Sequence, residues 1–130
     1  SNYWPGSGAD SDYPVKAFLY DDPNQLFRIA TSNVVAAANT EAEIRAAVFA
    51  NIALATGNSG STSTGLSSAT ADLDTIATTN TLALRIMGIL DDAGNNDFTS
   101  AGIPLIVRIN NHFNAPTGSI VAATVSTTGV

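Results

Sequence analysis

The sequence has no cysteine and only one histidine among its 130 residues, and 12% of its residues are charged. Without cysteine, disulfide frameworks, iron–sulfur clusters and cysteine nucleophiles are excluded, and one histidine cannot supply the ligands of common zinc sites. No run approaches the roughly 18 consecutive apolar residues of a membrane-spanning helix. We therefore expect neither an enzyme nor a bound cofactor or metal, and no contact with a membrane.

Basic residues are also scarce, since five Lys and Arg stand against eleven Asp and Glu, and the formal net charge is -6. This excess of negative charge repels phosphate backbones, so we expect no nucleic-acid partner. The chain is rich instead in small residues, with 21 Ala, 15 Thr, 12 Ser and 12 Asn, and 45% of it is hydrophobic. Such a composition can fill one core and favours β-structure with many turns.

Residues 1–14 contain proline and glycine and show neither a helical nor a strand period. They are predicted to form an extended arm, followed by a single β-barrel domain over residues 15–130. An exposed indole contributes nothing until it is buried, so Trp4 is expected either to fold back onto its own domain or to insert into a neighbouring subunit. The arm supplies these candidate contacts with a partner protein or with other subunits: Tyr3, Trp4, Pro5 and Tyr13.

A hairpin is predicted near the start of the domain. Residues 15–20 form an apolar run with aromatics, residues 21–24 read Asp-Asp-Pro-Asn, and residues 25–31 are apolar again. Proline fixes φ for a turn, and Asp and Asn side chains bond the backbone of a turn. The pattern therefore predicts strand, turn and strand.

Two stronger strand patterns occur later in the chain. Residues 81–90 and residues 103–113 alternate apolar and polar positions and are predicted to pair as antiparallel strands around a turn-rich loop. Arg85 and Arg108 are expected on the outer faces of this pair, where each would meet one of the many aspartates. Residues 120–125 are predicted to add one more strand or to pair with the sheet edge of a neighbour.

Helical signals are few. Thr40 and Glu43 satisfy the capping-box pattern and predict a helix start. The helix is expected either to continue for two or three turns or to stop after a single turn that leads into a strand over residues 48–54, and we favour the second. A further short helical turn is predicted within residues 72–80.

The segment at residues 56–71 consists almost entirely of Gly, Ser, Thr and Ala and is predicted to be a long loop. Its glycines are not followed by the lysine or the strand-to-helix context of a phosphate-binding loop. A loop with such small side chains can form hydrogen bonds across a flat protein surface. Its candidate contact residues are Ser61, Thr62, Ser63 and Thr64.

Two groups of acidic residues resemble a metal site and a catalytic site only superficially. The loop at residues 91–102 is rich in Asp and Asn, but it lacks the order of acids, glycine and distal glutamate found in a calcium-binding EF-hand. Its side chains are therefore expected to cap their own turns. Asp72 and Asp74 come nearest to the carboxylate pair of a hydrolase, but we expect them to be solvated.

Four stretches occur in the order seen in one protein family. They are AFLYDDPNQLFRI at residues 17–29, ATGNSGSTSTGLSSATADLDT at residues 55–75, TLALRIMGILDDAGNN at residues 81–96 and LIVRINNH at residues 105–112. Over residues 13–113 the chain resembles small virion structural proteins of tailed phages, which carry a Tyr-Asp-Asp-Pro turn, a Gly-Ser-Thr loop and a Val-Arg-x-Asn strand. It departs from that pattern in the alanine-rich residues 36–47 and in the Leu-Asp-Asp-Ala at residues 90–93.

The resemblance implies a capsid decoration or cement protein, made in the host cytoplasm and bound to the outer capsid surface of the virion. Its implied partners are the major capsid protein and other copies of itself. The implied fold agrees with the residue patterns: all-β, as a compact antiparallel β-barrel or sandwich with an extended N-terminal arm and at most one or two short helical turns. The alternative is a glycan- or receptor-binding β-domain of a virion tail or fibre, with tyrosine and tryptophan side chains (Tyr3, Trp4, Tyr13 and Tyr20) placed beside the loop at residues 91–97.

Overall fold

The computed structural model describes residues 16–33, 35, 38–91, 94 and 97–112. Within these residues the chain forms five strands and one short helix. In chain order they are β1 (Leu26–Ala30), α1 (Glu41–Ala46), β2 (Asn51–Leu54), β3 (Ala71–Ala77), β4 (Leu84–Ile89) and β5 (Pro104–Ile109). The structure is mostly β, as the sequence predicts.

The five strands form a single antiparallel sheet in the order β1-β5-β4-β2-β3. The predicted pairing of the two later strands is confirmed, with Ile86 of β4 opposite Val107 of β5. Their alternation places Leu84 and Ile86 in the core together with Leu105 and Val107. These side chains share one face because successive residues of a strand point to opposite sides.

The sheet curls until its two edge strands approach each other at one end. Just after β1, Thr31 forms a parallel bridge with Ala71, the first residue of β3, and the Ser32 N–H donates to the Ala71 carbonyl over 2.8 Å. In the described residues, the edges make no other bridge with each other. The sheet is therefore not closed. Of the predicted architectures, a sandwich or an open barrel fits this arrangement.

Thr31 fastens this end of the sheet. Its side chain is buried, and its Oγ1 accepts hydrogen bonds from the backbone N–H groups of Ile103, over 3.0 Å, and Gly102, over 3.2 Å. The Thr31 N–H in turn donates to the Ile103 carbonyl over 3.1 Å. Gly102 has φ +100, a conformation that a residue with a Cβ rarely adopts. We call this set of bonds the Thr31 clasp.

A pair of asparagines braces the opposite end. Asn51 is buried, and its Nδ2 donates to the Thr79 carbonyl over 3.0 Å. Its Oδ1 accepts from Asn110 Nδ2 over 2.8 Å, and Asn110 Nδ2 also donates to the Leu82 carbonyl over 3.0 Å. A buried amide must be bonded to avoid its desolvation penalty. These bonds therefore tie β2, the turn before β4 and the end of β5 together.

The capping box at the helix start is confirmed. Thr40 Oγ1 accepts from the Glu43 N–H, and Glu43 Oε2 accepts from the Thr40 N–H over 3.0 Å. The helix is only six residues long. It ends before Phe49, which has φ 73 and whose N–H donates to the Ile86 carbonyl over 2.7 Å. Six residues make just under two turns, so the helix lies between the two predicted lengths. The strand that follows it is confirmed, although β2 begins at Asn51 rather than at residue 48.

The prediction of a strand at residues 15–20 is wrong for the described residues 16–20, which have no regular structure. The turn after them does form, because the Gln25 N–H donates to the Asp22 carbonyl over 3.0 Å and the Asn24 N–H donates to Asp22 Oδ1 over 2.8 Å. Strand propensity alone does not make a strand, since the segment also needs a partner in the sheet.

The prediction of a helical turn within residues 72–80 is also wrong, because β3 occupies Ala71–Ala77. The strand is visible in the alternation of buried Ala71 and Leu73 with the more exposed Asp72 and Asp74. The carboxylates at every second position mark the outer face of an edge strand.

The predicted arm at residues 1–14 and the predicted strand at residues 120–125 lie outside the described residues. None of the helices within the described part of the chain has the length and apolar character needed to cross a membrane.

Glu43 gives the helix start a testable dependence on pH. The Thr40 hydroxyl first, and then the backbone N–H of Asn39, lower the pKa of Glu43. A lowered pKa in the folded state stabilises the fold fully above the ordinary glutamate pKa of about 4.3, and this stabilisation is lost as pH falls through the lowered value. We therefore expect Glu43→Gln to lower the urea midpoint at pH 7 and to differ progressively less from the unchanged protein toward pH 3.

The control is Glu41→Gln, which removes the neighbouring exposed carboxylate that pairs with Arg45. A difference between Glu43→Gln and the unchanged protein that stays constant from pH 7 to pH 3 would contradict this role of the Glu43 carboxylate.

Candidate functional site

The loop between β2 and β3, residues 55–70, is held in shape by its own small side chains, and we call it the Gly-Ser-Thr loop. At its tip the Ser61 N–H donates to the Leu66 carbonyl over 2.9 Å, and the Gly65 N–H donates to the Ser61 carbonyl over 2.8 Å. Ser61 Oγ accepts from the Thr64 N–H over 3.2 Å. Residues 61–66 therefore form a small bridged turn.

A second layer of bonds closes the base of the loop. Asn58 Nδ2 donates to Thr70 Oγ1 over 2.6 Å, and Ser68 Oγ donates to the Ser59 carbonyl over 2.5 Å. The two sides of the loop are thus bonded to each other below the tip. The predicted long loop is confirmed, because no helix or strand lies between β2 and β3 within the described residues, and the bonds between its two sides brace it.

The braced loop exposes hydroxyl groups around one apolar side chain. Ser61, Thr62, Ser63 and Thr64 are all exposed, and Leu66 is 66% exposed. Among the described residues, no hydrogen bond uses the hydroxyls of Thr62 or Ser63, whereas those of Ser61 and Thr64 accept bonds inside the turn. Two hydroxyls and a leucine therefore remain available to a partner.

The four arm residues predicted as contacts, Tyr3, Trp4, Pro5 and Tyr13, lie outside the described residues. The structure does describe the chain just after them, where Phe18 is 96% exposed, Leu19 82% and Tyr20 80%. Three consecutive large apolar side chains exposed to water form a candidate interaction surface. In the sequence this surface is visible as an apolar run before a turn. The run is assigned to a strand, and for that reason its exposure is not predicted.

An apolar groove of about 340 Å³ opens beside β1, between that strand and residues 67–69 of the Gly-Ser-Thr loop. We call it the β1 groove. Its apolar lining comes from four strands and comprises Phe27, Ile29, Leu54, Leu84, Val107 and Ile109. The groove lies where the curled sheet is not closed, so it leads into the core of the open barrel.

Arg85 and Arg108 stand directly opposite each other on β4 and β5. Within the described residues neither meets an aspartate, because the one ion pair found there joins Arg45 to Glu41 over 2.6 Å. The expected pairing of these arginines with aspartates is therefore wrong for this part of the chain. Arg85 lies 5.7 Å from the centre of the Phe49 ring, an arrangement that attracts a cation to the aromatic face. Burial, and secondarily the like charge of Arg108, lower the pKa of Arg85.

The acidic loop behaves as predicted at Asp97, one of its two described carboxylates. Its Oδ1 accepts from the Thr99 hydroxyl over 2.6 Å, and its Oδ2 accepts from the Ser100 hydroxyl over 2.7 Å. These two hydroxyls, followed by the Thr99 N–H, lower the pKa of Asp97. Asp97 therefore caps its own turn.

Asp72 and Asp74 lie on edge strand β3. Asp72 Oδ1 accepts from the Asp74 N–H over 3.1 Å, and Asp74 Oδ2 accepts from Asn33 Nδ2 over 2.7 Å. No group of three or more His, Cys, Asp or Glu side chains within the described ranges is placed to hold a metal ion.

A scan of protein-family models and searches of curated proteins and of solved structures find no match to this chain.

Gly60 provides a direct test of the braced loop. A Cβ at this position would lie 2.6 Å from the Leu66 carbonyl oxygen, so Gly60→Ala must push the two sides of the turn apart. We expect the bond from the Ser61 N–H to the Leu66 carbonyl to break. Because such a bond is worth about 1 kcal/mol, exchange of the Ser61 amide should speed up by about fivefold, measured by NMR hydrogen exchange.

Gly88→Ala is the matched control, because a Cβ at Gly88 meets nothing within 4 Å. Unchanged exchange and unchanged chemical shifts at Ser61 in Gly60→Ala would show that the loop is not held together in this way.

Proposed function

We propose that the chain is a non-enzymatic virion structural protein, a capsid decoration or cement protein that binds the outer capsid surface and stabilises the head by bridging coat subunits. Its partners are the major capsid protein and other copies of itself. The resemblance over residues 13–113 supports this proposal, and an all-β fold is compatible with it. The protein would be made in the host cytoplasm and reside on the outer capsid surface.

The single observation that carries the proposal is the braced Gly-Ser-Thr loop. A loop that is already ordered loses little conformational entropy when it docks, so more of its contact energy appears as affinity. The bonds between Ser61 and Leu66 and between Asn58 and Thr70 provide this order. A cement protein needs a rigid contact of this kind, whereas it needs no nucleophile or cofactor.

The chemistry of the loop suits a protein surface. Thr62 and Ser63 can donate to and accept from backbone or side-chain groups of a coat protein, and Leu66 can bury its side chain against an apolar patch. Residues 55–70 carry no charged side chain. The net charge of -6 therefore affects this contact little, and salt should change its affinity only weakly.

Repetition on the capsid adds to the strength of each contact. A capsid presents many symmetry-related coat subunits, and decoration proteins that contact both the coat and each other bind with avidity. A modest affinity for each copy is then sufficient. The arm residues Tyr3 and Trp4 are proposed as additional anchors, because large aromatic side chains contribute most when they are fully buried at an interface.

The experiment is co-sedimentation of the full chain with capsids that lack it, over a range of chain concentrations. Thr62 and Ser63 are the best residues to change, because their hydroxyls do not take part in bracing the loop. If each makes a hydrogen bond worth about 1 kcal/mol, the double variant Thr62→Ala with Ser63→Ala should bind about thirtyfold more weakly. The matched control is Thr78→Ala with Thr79→Ala, which removes two exposed hydroxyls elsewhere.

Saturable binding of the unaltered chain and of the control, with weaker binding of the loop variant, is the predicted result. Absence of binding by the unaltered chain would contradict the decoration function, and binding to a glycan array would then favour the surface-recognition alternative. Equal binding of the loop variant and the control would show that the loop is not part of the interface with the capsid.

A further inference from the structure

The 16–20 segment has the features of a strand without a partner. Its sequence favours β-structure, its backbone has no regular pairing, and Phe18, Leu19 and Tyr20 are 80% or more exposed. Leaving such side chains in water forfeits the free energy that their burial would release. Pairing of the segment with an available sheet edge would recover this free energy.

An available edge lies in the same fold. β1 pairs with β5 on one side. Within the described residues, the backbone of β1 (Leu26–Ala30) makes only one hydrogen bond outside that pairing. In this bond Gln25 Nε2 donates to the Leu26 carbonyl. An edge strand with unpaired N–H and C=O groups is a template for an added strand. The apolar β1 groove lies directly beside this edge.

The segment and the groove match in their alternation. In an added strand, Phe18 and Tyr20 would share one face and Leu19 would take the other, because the side-chain period is two. Phe18 and Tyr20 can then enter the β1 groove, where Phe27 and Ile29 of β1 supply part of the apolar lining. The antiparallel pairing found throughout the sheet suits this addition.

The turn after the segment favours the edge of another copy over the segment's own edge. The hydrogen bonds within Asp22, Asn24 and Gln25 are already formed, and yet the residues before the turn extend into solvent. With the turn formed, the described segment still makes no ladder with its own β1. A second copy can offer its β1 edge without any change in this turn.

The charges also agree with an antiparallel addition. Asp22 comes after the segment and would lie near the start of a partner's β1, where Leu26 lies opposite Arg108 and where Arg28 lines the groove. In the described residues neither Arg28 nor Arg108 has an ion-pair partner. The acidic turn of a second copy would therefore approach the end of β1 near these two arginines, which no described acid neutralises.

The aromatic side chains supply most of the contact area. A buried aromatic side chain removes about 150–250 Å² from water, so Phe18 and Tyr20 together contribute about 300–500 Å². If two copies exchange segments reciprocally, the contact occurs twice, and these side chains alone contribute about 600–1,000 Å². That area approaches the lower limit of about 1,200 Å² for a standard specific interface before the groove walls and the paired backbone are added.

We propose that copies of this chain associate by strand exchange: residues 16–20 of one copy add antiparallel to the β1 edge of another, with Phe18 and Tyr20 in its β1 groove. The reciprocal pair is the smallest closed assembly of this kind. This inference goes beyond the proposed function, because it identifies the surfaces of self-association and does not require binding to a capsid.

The first test is self-association of the full chain, measured by sedimentation equilibrium over a wide concentration range. Removing two aromatic anchors in Phe18→Ser with Tyr20→Ser should raise the dissociation constant at least about tenfold. These side chains are exposed, so the variant should keep the circular dichroism of the unchanged chain. Phe49→Ser is the matched control, since it removes a 57% exposed aromatic side chain that lies outside β1 and the β1 groove, and it should leave the association unchanged.

The second test uses the absence of native cysteine. A chain with Leu19→Cys is mixed with a chain carrying Leu26→Cys and treated with a short bismaleimide, which should give a covalent heterodimer. A double variant with both cysteines in one chain, treated at high dilution, reports whether the segment reaches its own β1 instead.

Three results would overturn the inference. They are a chain that stays monomeric at all concentrations, an association that Phe18→Ser with Tyr20→Ser does not weaken, and cross-links that form only within single double-variant chains. A monomer that still co-sediments with capsids would overturn the strand exchange and leave the proposed function standing. A strand-exchanged pair that does not bind capsids would overturn the proposed function and leave the strand exchange standing.

Discussion

The fold depends on how its two edge strands are joined at one end. The Thr31 clasp fixes the chain leaving β1 to the start of β5 through Ile103, and the bridge to Ala71 fixes it to the start of β3. β1 is thereby committed to the outside of the sheet, and the Gly-Ser-Thr loop is pinned where it enters β3. Because the bridge lies beyond the end of β1, it leaves the outer edge of the strand itself unpaired, and no described strand pairs with that edge along the β1 groove. The same constraint therefore creates both the closed end and the open side.

The sequence predicts the features that depend on local rules. The capping box at Thr40, the turn at Asp22 and the alternation in β4 and β5 each depend on short-range stereochemistry or on a two-residue period, and the structure contains all three. It does not predict the features that depend on partners. The 16–20 segment has the pattern of a strand and finds no strand beside it, whereas β3 is mistaken for a helical turn although its own alternation is present.

The candidate site likewise has parts that the sequence predicts and parts that it does not. The loop residues Ser61 to Thr64 are predictable from composition, but the bonds that brace them join residues whose pairing no composition specifies, such as Asn58 with Thr70. The β1 groove could not be predicted, because its walls come from four strands and a loop that meet only in the folded chain. Arg85 opposite Arg108 depends on strand register, which the two strand patterns alone do not give. A uniform composition of small residues thus yields a projecting loop and an apolar opening only after the sheet has curled.

The most direct test of this account is amide hydrogen exchange on Thr31→Val beside Thr31→Ser. Valine keeps the shape of threonine but leaves the buried Ile103 N–H without an acceptor, which costs about 1–3 kcal/mol, whereas serine retains the hydroxyl. The account predicts that Thr31→Val speeds exchange at Ile103 and at Ser32 together, because the clasp and the bridge to Ala71 open as a unit, while Thr31→Ser leaves both protected. Equal protection at these two amides in both variants would contradict it, and the closed end of the sheet would then need another cause.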